Sequence, residues 1–466
     1  MKLIRLSIFI SILTTLSAQR QISPEARVFS STKRSVCTVF GKSGHGSGFL
    51  YDKRGLIITN DHVLGDNPGR FLSVQFNENE KYYAQVINRD KYKDIAIIAV
   101  NPSLVKGIEP LNLATKSDTM VFEGERVIAI GSPLNQTKIL TSGIISKVEP
   151  KVLMHDVNIN PGNSGGPLIN MNSDVVGINT FGDISNRGPG IYGSVLITEA
   201  EELIKLSKNA DVENISTEIL PTLPKYSFPI SALKKSISKK YPTSIYSLRG
   251  NKFEIFIYTP PQMYASKKVK ESRMASKRDN RTGEPNRYDL FTDLQDWGSS
   301  TGKFKPVVTL VINPKIGQTA GSLVGNVLLA GVAGAAGTGY YSRETYEFKA
   351  DVKDVSITHG NNDVMPFTSN FQYTTLDFSR VGYYGSSQGE DMAQQAIIEL
   401  PIDVFRPNET GTFDPLIVTV TNYKDNLQET IAIPLNTIYK INSDFEEYTG
   451  DKIGTQLYKA PPEGCS

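Results

Sequence analysis

The chain has 466 residues, enough for two or three domains with sizeable cores. Hydrophobic residues make up 39% and charged residues 21%, an ordinary globular balance, and the formal charge is only +2. So small a charge argues against nucleic-acid binding, which needs a larger and clustered basic excess, and nothing calls for a cofactor or a metal ion.

Residues 1–18 have the form of a secretory signal peptide. Lys2 and Arg5 supply a positive start, residues 8–16 are mostly apolar, and Ser17-Ala18 offers a small-residue cleavage site before Gln19. An N-terminal membrane anchor is the alternative, but the apolar run is too short to span a bilayer. The expectation is export to a periplasmic or extracellular space, without lipid attachment. Of the two cysteines, Cys37 sits in the strand-like run Val36-Cys37-Thr38-Val39-Phe40 and reads as a small buried residue. Cys465 is penultimate, and pairing between the two stays open.

Residues 19–30 are mostly polar and read as a lead-in. From about 31 to 115, short strands alternate with turn signals. Phe71-Leu72-Ser73-Val74-Gln75-Phe76 and Tyr82-Tyr83-Ala84-Gln85-Val86-Ile87 read as a strand pair around a polar turn at 77–81. Residues 121–197 supply a second such set, and many short strands with regular turns fit a barrel. A helix is expected over 198–206, with Thr198 as N-cap and Glu201 completing a capping box. Residues 211–230, broken by Pro221, Pro224 and Pro229, read as a linker.

Residues 231–466 read as mostly β, and the set suggests a sandwich. Lys252-Phe253-Glu254-Ile255-Phe256-Ile257-Tyr258 and Val307-Val308-Thr309-Leu310-Val311-Ile312 are strand candidates. Residues 416–421 and 430–433 make a hairpin across Tyr423-Lys424-Asp425-Asn426. A basic stretch over 267–287 is interleaved with Glu271, Asp279 and Glu284 and reads as a solvated face rather than an anionic-surface contact. The apolar, small-residue stretch 320–339 carries Gly321 and Gly325 in a G-x-x-x-G. A buried or flexible insertion ranks first for it, and helix packing or membrane contact second.

Three stretches carry chemistry. Thr59-Asn60-Asp61-His62-Val63-Leu64 follows the apolar run Leu56-Ile57-Ile58, so His62 falls just past a strand. Asp94 stands at the mouth of the buried run Ile95-Ala96-Ile97-Ile98-Ala99-Val100. Asn160-Pro161-Gly162-Asn163-Ser164-Gly165-Gly166-Pro167 surrounds a serine with glycines. A serine hydroxyl needs a base and a site for the oxyanion it creates, and glycine lets the turn aim the Gly162 and Ser164 N–H groups at one point. Alone, the stretch is as readily a glycine-rich turn, and His62 or Asp94 alone is a loop residue. His45, His155 and His359 have no comparable partners and read as structural or surface residues.

The order His, Asp, Ser is one in which this triad recurs, and here a resemblance enters. Residues 27–210 resemble the protease domain of the HtrA (Deg) serine proteases, within the trypsin-like superfamily. The motif Gly46-Ser47-Gly48-Phe49-Leu50, then Gly55 to Asn60, is similar to that family's first-barrel hairpin leading to its histidine. Gly124 to Pro133 resembles the strand opening its second barrel, and Thr141 to Ser146 and Val176 to Thr180 resemble the strands flanking its serine loop.

The resemblance implies a mainly β, trypsin-like double β-barrel followed by a β-rich domain of no recognised family. It implies a serine endopeptidase with His62, Asp94 and Ser164 as catalytic residues and Gly162, Asn163 and Ser164 around the oxyanion hole. Its primary pocket would be lined by Asn158, Thr180, Phe181, Gly190 and Tyr192, with unfolded or partner-delivered protein as substrate. Asn158 stands at the pocket base in place of a carboxylate, so a small or medium apolar side chain is expected rather than Lys or Arg. The family also implies a homo-oligomer and a serine loop that something must order. The glycine-led carboxylate-binding loop of its PDZ domains is not found, so its substrate-capture behaviour is not carried over. The competing reading is a binding or scaffold protein, whose β-rich C-terminal domain holds a protein partner while the protease domain is latent.

Overall fold

The computed structural model describes residues 22–42, 44–66, 69–114, 121–132, 138–160, 162–181, 191–224, 227–236, 239, 241–265, 304–318, 346–375 and 392–450. The expected export segment 1–18, the basic stretch 267–287, the insertion 320–339 and Cys465 lie outside them.

Seven strands of the N-terminal half form one antiparallel sheet: β1 (Val36–Gly41), β2 (Gly44–Asp52), β3 (Leu56–Thr59), β4 (Ser73–Gln75), β5 (Lys81–Tyr83), β6 (Gln85–Asp90) and β7 (Ile95–Ala99). Their order is β5-β4-β1-β2-β3-β7-β6, with Ile219–Leu220 added beside β5. The unbroken apolar run from Ile95 has a physical reason. Ile95, Ile97 and Ala99 enter one core while Ala96, Ile98 and Val100 enter another, so the strand is buried on both faces. The sheet curls without closing, because its end strands do not pair with each other among the described residues.

The second set is β8 (Asn112–Leu113), β9 (Arg126–Gly131), β10 (Ile139–Val148), β11 (Val152–His155), β12 (Pro167–Asn170), β13 (Asp174–Phe181) and β14 (Tyr192–Leu196). They run in the order β12-β9-β10-β11-β14-β13-β8, and pairing of β12 with β13 closes six of them into a barrel. One core lies between the two sheets and joins Phe49, Ile58 and Ile97 of the first to Ile130, Leu168 and Ile178 of the second.

Three local expectations change. The lead-in contains a helix, α1 (Pro24–Thr32), capped by Ser23, whose Oγ accepts the Ala26 N–H at 3.2 Å, with Pro24 opening the first turn. The expected strand at 82–87 is two elements, β5 and β6, which pair with β4 and β7 respectively. Thr198 does not cap a helix: it lies in the 3-10 turn Ile197–Ala200, and the α-helix Glu201–Leu206 follows without a side-chain cap.

The C-terminal part is β-rich, as expected. Ser247–Arg249, Phe253–Tyr258, Val308–Pro314, Met392–Leu400 and Thr368–Thr375 make one sheet, in that spatial order. Asn362–Asp363, Val352–His359, Leu416–Asn422 and Gln428–Ala432 make another, including the expected hairpin. Alternate residues such as Phe253, Ile255 and Ile257, or Leu416, Val418 and Val420, fill a common core. The helix Leu435–Thr449 closes that core with Ile438, Ile441 and Phe445, and ends at Gly450, whose φ of 73° suits a left-handed cap.

The first sheet unit reaches into this second core. Phe71, just after the His62 segment, is buried there with its ring 5.5 Å from that of Phe371. Full burial of a phenylalanine contributes about 1.5–3 kcal/mol. Lys81 Nζ sits over the Phe40 ring and donates to the Phe367 carbonyl at 2.6 Å. Burial lowers the Lys81 ammonium to about 7. Lys42 donates to the Lys353 carbonyl and lies over the Phe371 ring, and Ser369 Oγ donates back to the Lys42 carbonyl at 3.3 Å. The strand Thr368–Thr375 therefore lies against β1 and β2.

Candidate active site

The helix α2 (Asp61–Leu64) begins where β3 ends and carries His62. Arg89 of β6 holds it at both ends: its Nε pairs with Asp61, and its Nη2 donates to the Gly65 carbonyl at 3.1 Å. Asp94 precedes β7 in a left-handed backbone conformation, φ 55°. Such a conformation is uncommon for a residue with a side chain and concentrates at functional sites. It turns both carboxylate oxygens toward His62. Asp94 Oδ1 accepts the His62 backbone N–H at 2.9 Å, and Oδ2 lies 2.8 Å from His62 Nδ1. Asn60 Nδ2 donates to the Asp94 carbonyl at 2.7 Å and to Thr180 Oγ1 at 2.9 Å, which ties Asp94 to the second barrel.

The carboxylate is 22% exposed and the imidazole 51%. The ring therefore has one nitrogen engaged and its far edge open. Because an ionised carboxylate only accepts, the neutral form of the ring holds its proton on Nδ1 and its lone pair on Nε2.

Ser164 lies in the turn before β12 and is partly exposed. Ser47 of β2 fixes this turn in two places. Its N–H donates to the Ser164 carbonyl at 2.7 Å and its Oγ to the Gly162 carbonyl at 2.6 Å, while Oγ accepts the Ser132 N–H at 3.0 Å. Gly46 shows how closely the histidine helix and the serine turn approach. A Cβ there would stand 2.6 Å from Val63 Cγ2 and 2.8 Å from the Ser164 carbonyl oxygen, so both elements press on one glycine.

Within the turn, Gly162 has φ 102°, the Asn163 N–H is taken by the Asn160 carbonyl at 2.9 Å, and the Asn163 carbonyl accepts the Gly166 N–H at 3.0 Å. The N–H groups of Gly162 and Ser164 make no hydrogen bond among the described residues.

Of the expected pocket residues, Thr180 is buried, accepts from Asn60 and donates to the Ile178 carbonyl at 3.1 Å. Tyr192 is half-buried and packs against the inter-sheet core. Asn158 is exposed, and its carbonyl accepts from Thr141 Oγ1 at 3.1 Å. Phe181 ends β13, its backbone paired with Gly193, and Gly190 lies outside the described residues. Of the other histidines, His45 and His155 are shielded, with burial pushing His45 down and His155 to about 4. Cys37 is free and buried.

Ser47, Asn60 and Arg89 escape a reading of the sequence. The signal for Ser47 was present in the glycines on either side, which mark a close backbone approach. Among the described residues no group of His, Cys, Asp and Glu is placed to hold a metal, and no helix is long and apolar enough to cross a membrane.

A family model described as a trypsin-like peptidase domain matches residues 46–178. The human serine protease HTRA3 is 38% identical over 162 residues, covering 31% of this chain and 35% of that protein. A protein of Hahella chejuensis described as a probable periplasmic serine endoprotease, DegP-like, is 37% identical over 156 residues, 32% of this chain and 31% of its own length. The crystal structure of the serine endoprotease from Yersinia pestis aligns at 26% identity over 41% of this chain and 68% of that one, with a TM-score of 0.37, too low to carry an argument. The chain thus carries a trypsin-like peptidase domain akin to those of the HtrA and DegP proteases, and it spans about a third of the length of the curated relatives it matches.

Proposed function

We propose that the chain is a serine endopeptidase in which Ser164 is the nucleophile, His62 the general base and acid, and Asp94 the residue that orients the imidazole. The carrying observation is the double engagement of Asp94, with one oxygen on the His62 backbone and the other on Nδ1. Ser164 Oγ attacks the substrate carbonyl carbon while its proton passes to His62 Nε2. The oxyanion forms facing the Gly162 and Ser164 N–H groups in the Gly162-Asn163-Ser164 turn. Collapse breaks the C–N bond, the leaving amine takes the proton from Nε2, and water releases the acyl group by the same route.

The substrate class in this reading is unfolded or partner-delivered protein. Entry is at a pocket bordered by Asn158, Thr180, Phe181, Gly190 and Tyr192, with a preference for apolar side chains. The protease unit covers 27–210, a connecting stretch 211–230, and a β-rich unit 231–466 that binds a protein partner. Export is supported by residues 1–18 and by the Hahella relative, described as a probable periplasmic protein. A homo-oligomer is part of the same reading.

The test is cleavage of casein by the full chain and by its Ser164→Ala variant. Loss of the nucleophile is expected to lower kcat by about 10³-fold or more. A variant that digests casein at the unaltered rate would sink the assignment.

A further inference from the structure

Behind the Ser164 turn, three polar side chains cross the core of the second barrel. His155 on β11, Ser194 on β14 and Asn179 on β13 are each fully shielded from solvent. His155 Nε2 lies 2.9 Å from Ser194 Oγ, Ser194 Oγ donates to Asn179 Oδ1 at 2.9 Å, and Asn179 Nδ2 donates to the Pro167 carbonyl at 3.2 Å.

Proton counting fixes every direction in this chain. The Pro167 carbonyl can only accept, so the Asn179 amide must face it with Nδ2 and face Ser194 with Oδ1. The one Ser194 proton is then committed to Asn179, so His155 must donate from Nε2. His155 Nδ1 completes no hydrogen bond of good geometry among the described residues, although the Val157 backbone lies close enough to favour the protonated ring against the effect of burial.

Asn179 also grips the nucleophile turn through its main chain. Its carbonyl accepts the Gly165 N–H at 2.8 Å and its N–H donates to the Gly166 carbonyl at 2.9 Å. One residue thereby holds Gly165, Gly166 and Pro167, the three that follow Ser164. We propose that His155, Ser194 and Asn179 form a positioning relay that locks this turn, and with it the Ser164 hydroxyl and N–H, in the geometry catalysis needs. Apolar side chains of similar shape would fill the same space. What the polar relay adds is a single allowed orientation of the Asn179 amide, because each alternative leaves a buried donor unpaired. The inference rests on the proposed role of Ser164.

The test uses the full chain with Ser194→Ala and His155→Leu, and with His155→Gln as a variant that keeps a donor. Hydrogen exchange of the 160–168 amides and casein kinetics are read together. In Ser194→Ala and His155→Leu the 160–168 amides are expected to exchange roughly tenfold faster, the scale of one lost hydrogen bond, with β9 and β10 unchanged. In both, kcat falls by about the same factor or more while KM stays within about twofold, the pattern of a lost transition-state contact. His155→Gln retains both properties.

Unchanged exchange at 160–168 in the folded variants overturns the relay whatever the activity. Equal loss of protection in β9, β10 and the turn also overturns it, because the trio would then only stabilise the barrel. Absence of casein cleavage by the unaltered chain strikes the proposed function instead, and exchange still judges the relay.

Discussion

Asp94→Asn is expected to lower kcat about 10⁴-fold at neutral pH, with little change in KM or melting temperature. The geometry dictates this size of effect. Asp94 Oδ1 accepts the His62 backbone N–H, which an amide oxygen still does, so the amide nitrogen must turn to Nδ1. That nitrogen donates, which makes Nδ1 the acceptor and moves the ring proton to Nε2. Nε2 then has no lone pair for the Ser164 proton. Steady-state kinetics alongside thermal melts check the claim, and a kcat within tenfold of the unaltered chain would remove Asp94 from the mechanism.

Gly165→Ala is expected to abolish reaction with a labelled fluorophosphonate and to cost about 2–5 kcal/mol of stability, the sum of a left-handed backbone and overpacking. Gly165 has φ +83°, and a Cβ would stand 2.2 Å from the Ser47 carbonyl oxygen, 2.3 Å from Thr59 Oγ1 and 2.9 Å from the Asn60 N. Two of those are backbone atoms, one in β2 and one at the N-cap of α2, and neither can retreat as the end of a flexible side chain would. Gly107→Ala is the control. Its φ is +88° but nothing lies within 4 Å, so only the backbone cost of about 1–2 kcal/mol remains and labelling persists. Equal melting temperatures for the two variants would show that the close approach at Gly165 carries no weight.

The parts of the site that are contiguous in sequence were legible there. A strand end before His62, a buried run after Asp94 and glycines around Ser164 are local patterns, and local patterns fix local backbone. The helix Leu435–Thr449 departs from the mostly β reading of 231–466, although Ile438, Ile441 and Phe445 stand at helical spacing. The expected cap at Thr198 failed because a 3-10 turn supplied the helix start without a side chain.

What the sequence hid depends on pairing between distant strands. His155, Ser194 and Asn179 meet because β11 pairs with β14 and β14 with β13, and no residue among them signals the other two. The same holds for Lys81, which the sequence places in the polar turn at 77–81 but which begins β5 and is buried. It is buried because the Thr368–Thr375 sheet docks against that turn and supplies carbonyl oxygens for its ammonium. Phe71, which follows the histidine segment, enters the core of the C-terminal part for the same reason.

Mass-spectrometric mapping of the adduct formed between the full chain and a labelled fluorophosphonate, with casein present, tests the central claim most directly. The account predicts a single adduct on Ser164, absent from Ser164→Ala and strongly reduced in Asp94→Asn. An adduct on another hydroxyl, or a folded chain that stays unlabelled, would contradict it.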